Sequence, residues 1–401
     1  MNKLVYSVII ILLFGAVTGL KAIDSKQPDN LLELVNNALN VAEQQYDLLA
    51  KHALNIPNGL PKTFEKGSVI MSKASWWTSG FVPGTLWYLY ENSQNNKMKK
   101  YALSLSNRVE GQKFSTNTHD LGFMIYCSYG NAYRLDPLER YKKIIIQASK
   151  SLSNRYDNHV GLIRSWDFNK ENWQYPVIID NMMNLEMLCE ATRLTGDSSF
   201  WKIAVSHADK TMANHFRKNM SCYHVVSYDT ITAIPHIKQN WQGLNDESEW
   251  SRGQAWALYG YTMMYRMTKK AAYLEHANKV AAYLLHHPNM PKDYIPYWDF
   301  CDPKIPNSLR DASAGALICS ALLELSSYVP KSLANQYLTV AKTQLRTLCS
   351  STYLAKVGEQ GGFLLKHSVG STPHGTEIDV PLTYADYYFV EAMLRYKALK
   401  H

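Results

Sequence analysis

The sequence predicts an all-α protein, an (α/α)6 barrel in which six helical hairpins close into a toroid. Three observations predict it. Apolar residues recur at helical spacing in about twelve segments. Convincing strand alternation is nearly absent, with short extended pieces such as Tyr223 to Ser227 confined to the loops. The connections alternate in length. Tight turns such as Leu135-Asp136-Pro137, Thr195-Gly196-Asp197 and Tyr328-Val329-Pro330 follow the even-numbered segments. Longer links rich in Trp, His, Asp, Arg and Gly follow the odd-numbered ones.

Taken in order, residues 1–22 read as a secretory signal. Lys3 supplies the positive end, Leu4 to Val17 an apolar stretch short for a bilayer span, and small residues near Gly19 and Ala22 a cleavage region. The mature chain, 23–401, then reads as one domain without a linker, exported and periplasmic in a Gram-negative source, with no stable membrane insertion after cleavage. The helical segments are expected at 31–52, 79–92, 97–110, 119–135, 137–154, 180–195, 197–216, 251–268, 271–287, 310–328, 331–350 and 379–399. The fourth, within Ser115 to Leu135, is apolar on nearly every side and should be buried almost all round.

Composition narrows the function. Hydrophobic residues make up 46% and aromatic residues 12% of the 401, enough for a large core and ring-lined surfaces. The formal charge of +8 is spread along the chain without a dense Lys/Arg run, which argues against nucleic acid and suits an anionic small substrate. Six cysteines show no CxxC or Cys/His spacing, which argues against a thiolate metal site, and their spacing selects no disulfide. Oligomeric state leaves no mark in the sequence.

In a toroid of this kind the starts of the even-numbered helices share one pocket. Trp76 and Trp77 precede the second, His119 and Asp120 open the fourth, and Asp180 the sixth. Arg252 and Trp256 lie on the first turns of the eighth, Asp311 opens the tenth, and Glu377 and Asp379 the twelfth. Carboxylates, indole faces and a guanidinium in one concavity read as a carbohydrate site: sugars stack C–H faces on indoles, and Arg binds a carboxylate bidentately. The plain alternatives are structural. Asp120, Asp311 and Asp379 suit helix caps, and Arg252 suits an ion pair with Glu247 or Glu249.

Several blocks carry a resemblance. HDLGF (His119 to Phe123), IDNMMNLEML (Ile179 to Leu188), SCYHVVSYD with His224, NWQGLNDESEWSRGQAWALYGY with Gln242, Arg252 and Trp256, DASAGALICSALLEL and DVPLTYADYYFVEAMLR resemble, in this order, the unsaturated glucuronyl hydrolases, glycoside hydrolase family 88. The resemblance covers nearly the whole mature chain. It implies an (α/α)6 barrel and removal of a 4,5-unsaturated uronic acid from lyase-generated oligosaccharides, glycosaminoglycan-derived ones among them. It implies no metal and no organic cofactor. By the same resemblance Asp180 is the general acid and base, Asp120 supports it, and His119, Trp77, Trp166, His224, Gln242, Arg252 and Trp256 bind substrate. The loop His367 to Ile378 is expected near the second sugar. Competing readings are an unsaturated rhamnogalacturonyl hydrolase of the same fold, an inverting glycosidase acting on a saturated sugar, and a non-catalytic glycan-binding protein. One physical question follows. A helix N-terminus lowers a carboxyl pKa, whereas a general acid must keep its proton; apolar neighbours of Asp180 and the charge of Asp120 are expected to oppose that.

Overall fold

Six helical hairpins follow one another along residues 30–399, the residues described in the computed structural model; the candidate signal sequence, 1–22, lies outside them. The helices are α1 (Leu31–Leu54), α2 (Phe81–Ser93), α3 (Asn96–Val109), α4 (Asn131–Leu135), α5 (Glu139–Ser153), α6 (Leu185–Thr195), α7 (Ser198–Asn214), α8 (Ser251–Thr268), α9 (Ala271–Leu285), α10 (Ala312–Leu325), α11 (Lys331–Leu348) and α12 (Thr383–Ala398). Two of the inner helices have irregular starts. A π-helix, Gly122–Gly130, runs into α4, and a 3-10 turn, Ile179–Asn184, runs into α6.

The even-numbered helices form a closed inner ring. Each packs on the next, with the π-helix ahead of α4 making the contact to α6, and α12 returns to α2. The odd-numbered helices form the outer layer, so the chain is an (α/α)6 barrel. The sequence pattern explains the layers. α5 buries one face only, through Tyr141, Ile144, Ile145, Ala148 and Leu152, as an outer helix should. In α10 every residue from Ala312 to Leu323 is buried, because neighbours enclose it on all sides. Turn chemistry sets the hairpins. At the α6–α7 corner Gly196 closes α6 with φ +77°, a left-handed conformation that favours glycine, and Asp197 caps α7 by accepting the Ser199 N–H at 2.8 Å.

The inner ring is tight where glycine lines it. A Cβ on Gly84 of α2 would lie 2.5 Å from the carbonyl oxygen of Cys127 in the π-helix. At the other flank the Phe123 N–H, in the first turn of the π-helix and without a partner inside it, donates to Asn184 Oδ1 at 3.1 Å.

The long links hold more strand than the sequence pattern indicates. β1 (Leu60–Glu65) and β2 (Ser68–Ser72) form a hairpin, β3 (Tyr156–Asp157) and β4 (Leu162–Ile163) a smaller one, β5 (Pro176–Ile178), β6 (Val225–Tyr228) and β7 (Pro235–Gln239) a three-stranded sheet, and β8 (Ser368–Ser371) and β9 (Thr376–Val380) a last hairpin. All these pairings are antiparallel. Strands of two to six residues are too short for alternation to register. The twelfth helix also begins later than expected, at Thr383, because β9 occupies 376–380.

Parallel inner helices gather their C-terminal ends at the far mouth, where unpaired carbonyls carry partial negative charge. Arg134, Arg193, Arg266 and Arg395 stand in the last turns of α4, α6, α8 and α12. They pair with Glu91, Glu190, Glu186 and Glu391 at 2.6, 2.6, 3.1 and 3.3 Å. Glu391 also accepts from Tyr88 at 2.8 Å, Tyr259 at 2.9 Å and Ser320 at 2.5 Å, and so ties α2, α8 and α10 to α12. Among the described residues no helix is long and apolar enough to cross a membrane.

The Gly84 contact generates a prediction. Gly84→Ala forces α2 off the π-helix and destabilises the protein by about 1–3 kcal/mol, read as a fall in the thermal unfolding midpoint. An unchanged midpoint would show that the ring has slack there.

Candidate active site

The N-terminal ends of the inner helices converge on a cavity of about 470 Å3. Trp77 comes from the approach to α2, His119 and Asp120 from the approach to the π-helix, Asp180 from the 3-10 turn before α6, Arg252 from the first turn of α8, and Tyr384 from that of α12. The β8–β9 hairpin supplies another wall with Ser371, His374 and Glu377.

Asp180 is placed by strand pairing. β5 ends at Ile178, and the Ile179 N–H donates to the carbonyl of His224, just ahead of β6, at 3.0 Å. That register brings His224 Nε2 to 3.7 Å from Asp180 Oδ1. Asp180 is 7% exposed, and the pKa of its carboxyl is pushed up to about 7. Burial is the main cause; Arg252 opposes it, and the nearby charge of Asp120 adds to it. Removal of water therefore outweighs the helix-start effect. Burial also holds His119 and His224 below the usual imidazole range, so both face the cavity region as neutral rings.

Asp120 is less enclosed. Its Oδ2 accepts from Thr118 Oγ1 at 2.6 Å, and its Oδ1 lies 3.2 Å from His119 Nε2. The two aspartates thus line one hollow in different environments, one buried without a hydrogen-bond partner on Oδ1 and one held by a hydroxyl. A carboxyl that keeps its proton, set beside a second carboxyl in the same hollow, is the arrangement acid–base chemistry needs.

Arg252 forms neither of the ion pairs weighed from the sequence. Its Nη1 donates to Asp311 Oδ2 at 3.1 Å and to the Val369 carbonyl, and its Nη2 donates to the Gly370 carbonyl at 2.5 Å. Its guanidinium lies over Trp250 at 4.6 Å and Tyr384 at 5.3 Å. It enters the cavity as an ordered cation, fastened to β8. Asp311 has both expected and unexpected partners, since its Oδ1 also caps α10 through the Ser313 N–H at 3.0 Å. Asp379 caps no helix; it sits in β9 beside His367 Nδ1 at 2.7 Å.

Trp77, His119, Asp120, Trp166, Asp180, Gln242 and Arg252 therefore line one cavity. His224 stands behind it against Asp180, with its ring 5.8 Å from that of Trp166. Trp256, expected as a stacking platform, lies elsewhere. It is fully buried against Phe123 at 5.2 Å and Tyr388 at 5.6 Å and does not line the cavity. Lys62, Phe168, Trp241 and Tyr384 line the cavity without having been singled out from the sequence. Lys62 Nζ lies 3.3 Å from Glu377 and 4.6 Å over the Trp76 ring. Among the described residues no three His, Cys, Asp or Glu side chains converge as a metal site requires.

Comparison with known proteins follows this geometry. The model of Glycosyl Hydrolase Family 88 matches residues 56–398. The chain belongs to that family. It is a glycoside hydrolase, and its barrel is the family's. The chain is 42% identical to an unsaturated glucuronyl hydrolase of Formosa agariphila over 98% of both chains. It is 30% identical to an unsaturated chondroitin disaccharide hydrolase of Streptococcus pneumoniae, over 92% of this chain and 96% of that one. A crystal structure of an unsaturated glucuronyl hydrolase specific for heparin superposes with a TM-score of 0.89 at 45% identity, covering 92% of this chain and 98% of that one.

Within this family 88 barrel the burial of Asp180 has a thermodynamic sign. A carboxyl whose folded pKa lies near 7, above its ordinary 3.8, favours folding while protonated, and that contribution is lost as pH rises through 7. Asp180→Asn removes the penalty of an ionised buried carboxylate. Relative to wild type it is expected to be stabilised by a few kcal/mol at pH 8, with the gap narrowing as pH falls toward 4. Thermal unfolding across that range checks this. A gap independent of pH would mean that the carboxyl is not buried as described.

Proposed function

We propose that the chain removes the 4,5-unsaturated uronic acid from the non-reducing end of lyase-generated oligosaccharides by protonating and hydrating the C4=C5 enol ether. The observation that carries this reading is a single one. Asp180 keeps a proton near neutral pH because it is dry, and it lies in a sugar-sized hollow beside a second, wetter carboxylate.

The chemistry follows from those two environments. Asp180 gives its proton to C4, and positive charge develops at C5 and the ring oxygen. The charge of Asp120 and the faces of Trp77 and Trp166 favour that cation. Water adds at C5, and its proton returns to Asp180, which restores the acid. The resulting hemiketal opens to a C5 ketone. C1 is then an open hemiacetal and expels the shortened sugar as an alcohol. Atoms balance with one water consumed.

The positive ends of the inner helices and Arg252 support an anionic uronate in the cavity. Glycosaminoglycan-derived substrates are supported by the relatives, one named for heparin specificity and others for chondroitin disaccharides. The apolar stretch Leu4 to Val17 behind Lys3 supports export, tested by recovering processed protein in the periplasmic fraction.

The reaction consumes a chromophore, so turnover is read as a fall in ultraviolet absorbance. A panel of unsaturated disaccharides from chondroitin, heparin and rhamnogalacturonan lyases identifies the backbone. Asp180→Asn is expected to lose at least about 1,000-fold in kcat, and Asp120→Asn about 100-fold, with folding intact. The basic limb of kcat/KM should fall near pH 7, where Asp180 loses its proton in the free enzyme. Wild-type turnover by Asp180→Asn overturns the assignment.

A further inference from the structure

An aromatic ladder leaves the cavity in one direction. It begins with Trp166, half-buried and edge-on to the His224 ring at 5.8 Å. Phe168 stacks on Trp166 with centroids 5.0 Å apart, and Trp241 lies 6.4 Å beyond Phe168. The two rings beyond Trp166 are both more exposed than it is, Phe168 at 49% and Trp241 at 38%. Both still line the cavity. Large rings left in water as a contiguous patch mark a binding surface more often than isolated ones do.

These rings are held from below. Trp173 is 1% exposed and meets Trp241 edge to face at 5.0 Å and Phe168 at 5.9 Å. Its indole N–H donates to Gln239 Oε1 at 2.8 Å, which anchors it to β7. On the other side Trp241 lies 4.8 Å from the His374 ring of the β8–β9 turn, and His374 Nδ1 is bonded to Ser371 Oγ at 2.7 Å. Each exposed ring is therefore braced by a buried or hydrogen-bonded partner. A surface held rigid in advance loses little entropy when a ligand stacks on it.

The cavity of about 470 Å3 is toward the small end of ligand clefts, which run from about 300 to 1,000 Å3. A longer chain must leave across the rim, and the rim on the Trp166 side is this ladder.

We infer that Phe168 and Trp241, seated on Trp173, form an outer stacking platform for the third and later sugars of an oligosaccharide, so that the enzyme selects chain length as well as the terminal residue. The inference rests on the proposed uronate chemistry, but the platform is separate from the reacting groups. Its ligand is the apolar C–H face of a pyranose, which stacks on an indole or phenyl ring and tolerates differences in hydroxyl pattern.

The test compares an unsaturated disaccharide with the tetrasaccharide of the same backbone. In wild type kcat/KM is expected to favour the tetrasaccharide. In Trp241→Ala the tetrasaccharide-to-disaccharide ratio should fall about five- to ten-fold, whereas Trp241→Tyr, which keeps a ring, retains most of it. Binding gives a readout independent of turnover. In an Asp180→Asn background, tryptophan fluorescence titration should show tighter binding of the tetrasaccharide than of the disaccharide, and Trp241→Ala should abolish the difference. A wild type without length preference, or a ratio unmoved by Trp241→Ala, overturns the platform. A protein that binds by chain length but leaves the chromophore intact keeps the platform and overturns the uronate chemistry.

Discussion

Exclusion of water from one carboxyl is the constraint on which the site depends. Asp180 stands at the first turn of an inner helix, where backbone N–H groups favour its charged form. Arg252 pulls in the same direction. Burial outweighs both, and it is produced by the ring rather than by any one neighbour. The floor of Ile178, Ile179 and Met182 is dry because the inner helices close on one another. Glycines make that closure possible by admitting backbone to within reach of backbone, as Gly84 does against Cys127. Packing in the barrel wall thus determines the protonation of a group at its mouth.

The direction of the inner helices does a second job. Six parallel starts concentrate partial positive charge at the cavity, and the same arrangement concentrates partial negative charge at the opposite mouth. The far end answers with arginines in the last turns of four inner helices, each held by a glutamate. Arg252, the one guanidinium lining the cavity among the described residues, is fastened to Asp311 and to β8, so it orders a wall as well as offering charge.

The helices were legible because period and turn chemistry agree. α5 shows a single apolar face, and Gly196-Asp197 closes one helix and opens the next. The paired aspartates were legible too, since an acidic residue opening an apolar helix is conspicuous twice over. Trp256 was misplaced for a geometric reason. It follows Arg252 by four residues, so it shares that face but lies one turn deeper, about 6 Å along the axis. Position on a face does not reveal depth. The loop His367 to Ile378 was legible as part of the site, but its form as the β8–β9 hairpin, and Lys62 on β1, were obscured because strands this short leave no pattern. Phe168 and Trp241 sit in irregular loops, where nothing local marks which rings remain in water.

The pairing of β5 with β6 has a consequence for how the chain tolerates change. The acid is aimed by a ladder of three residue pairs, Pro176 with Ser227, Val177 with Val226 and Ile178 with Val225. Side chains on a strand alternate sides, so a slip of one position inverts every one of them. A single residue inserted between Ser165 and Pro176 can be absorbed by the loop, whereas one inserted within 176–179 would rotate the carboxyl out of its dry seat. Insertions and deletions among natural variants should therefore crowd the solvent-facing turn at 229–234 and spare the few residues that serve as the gunsight of the proton donor.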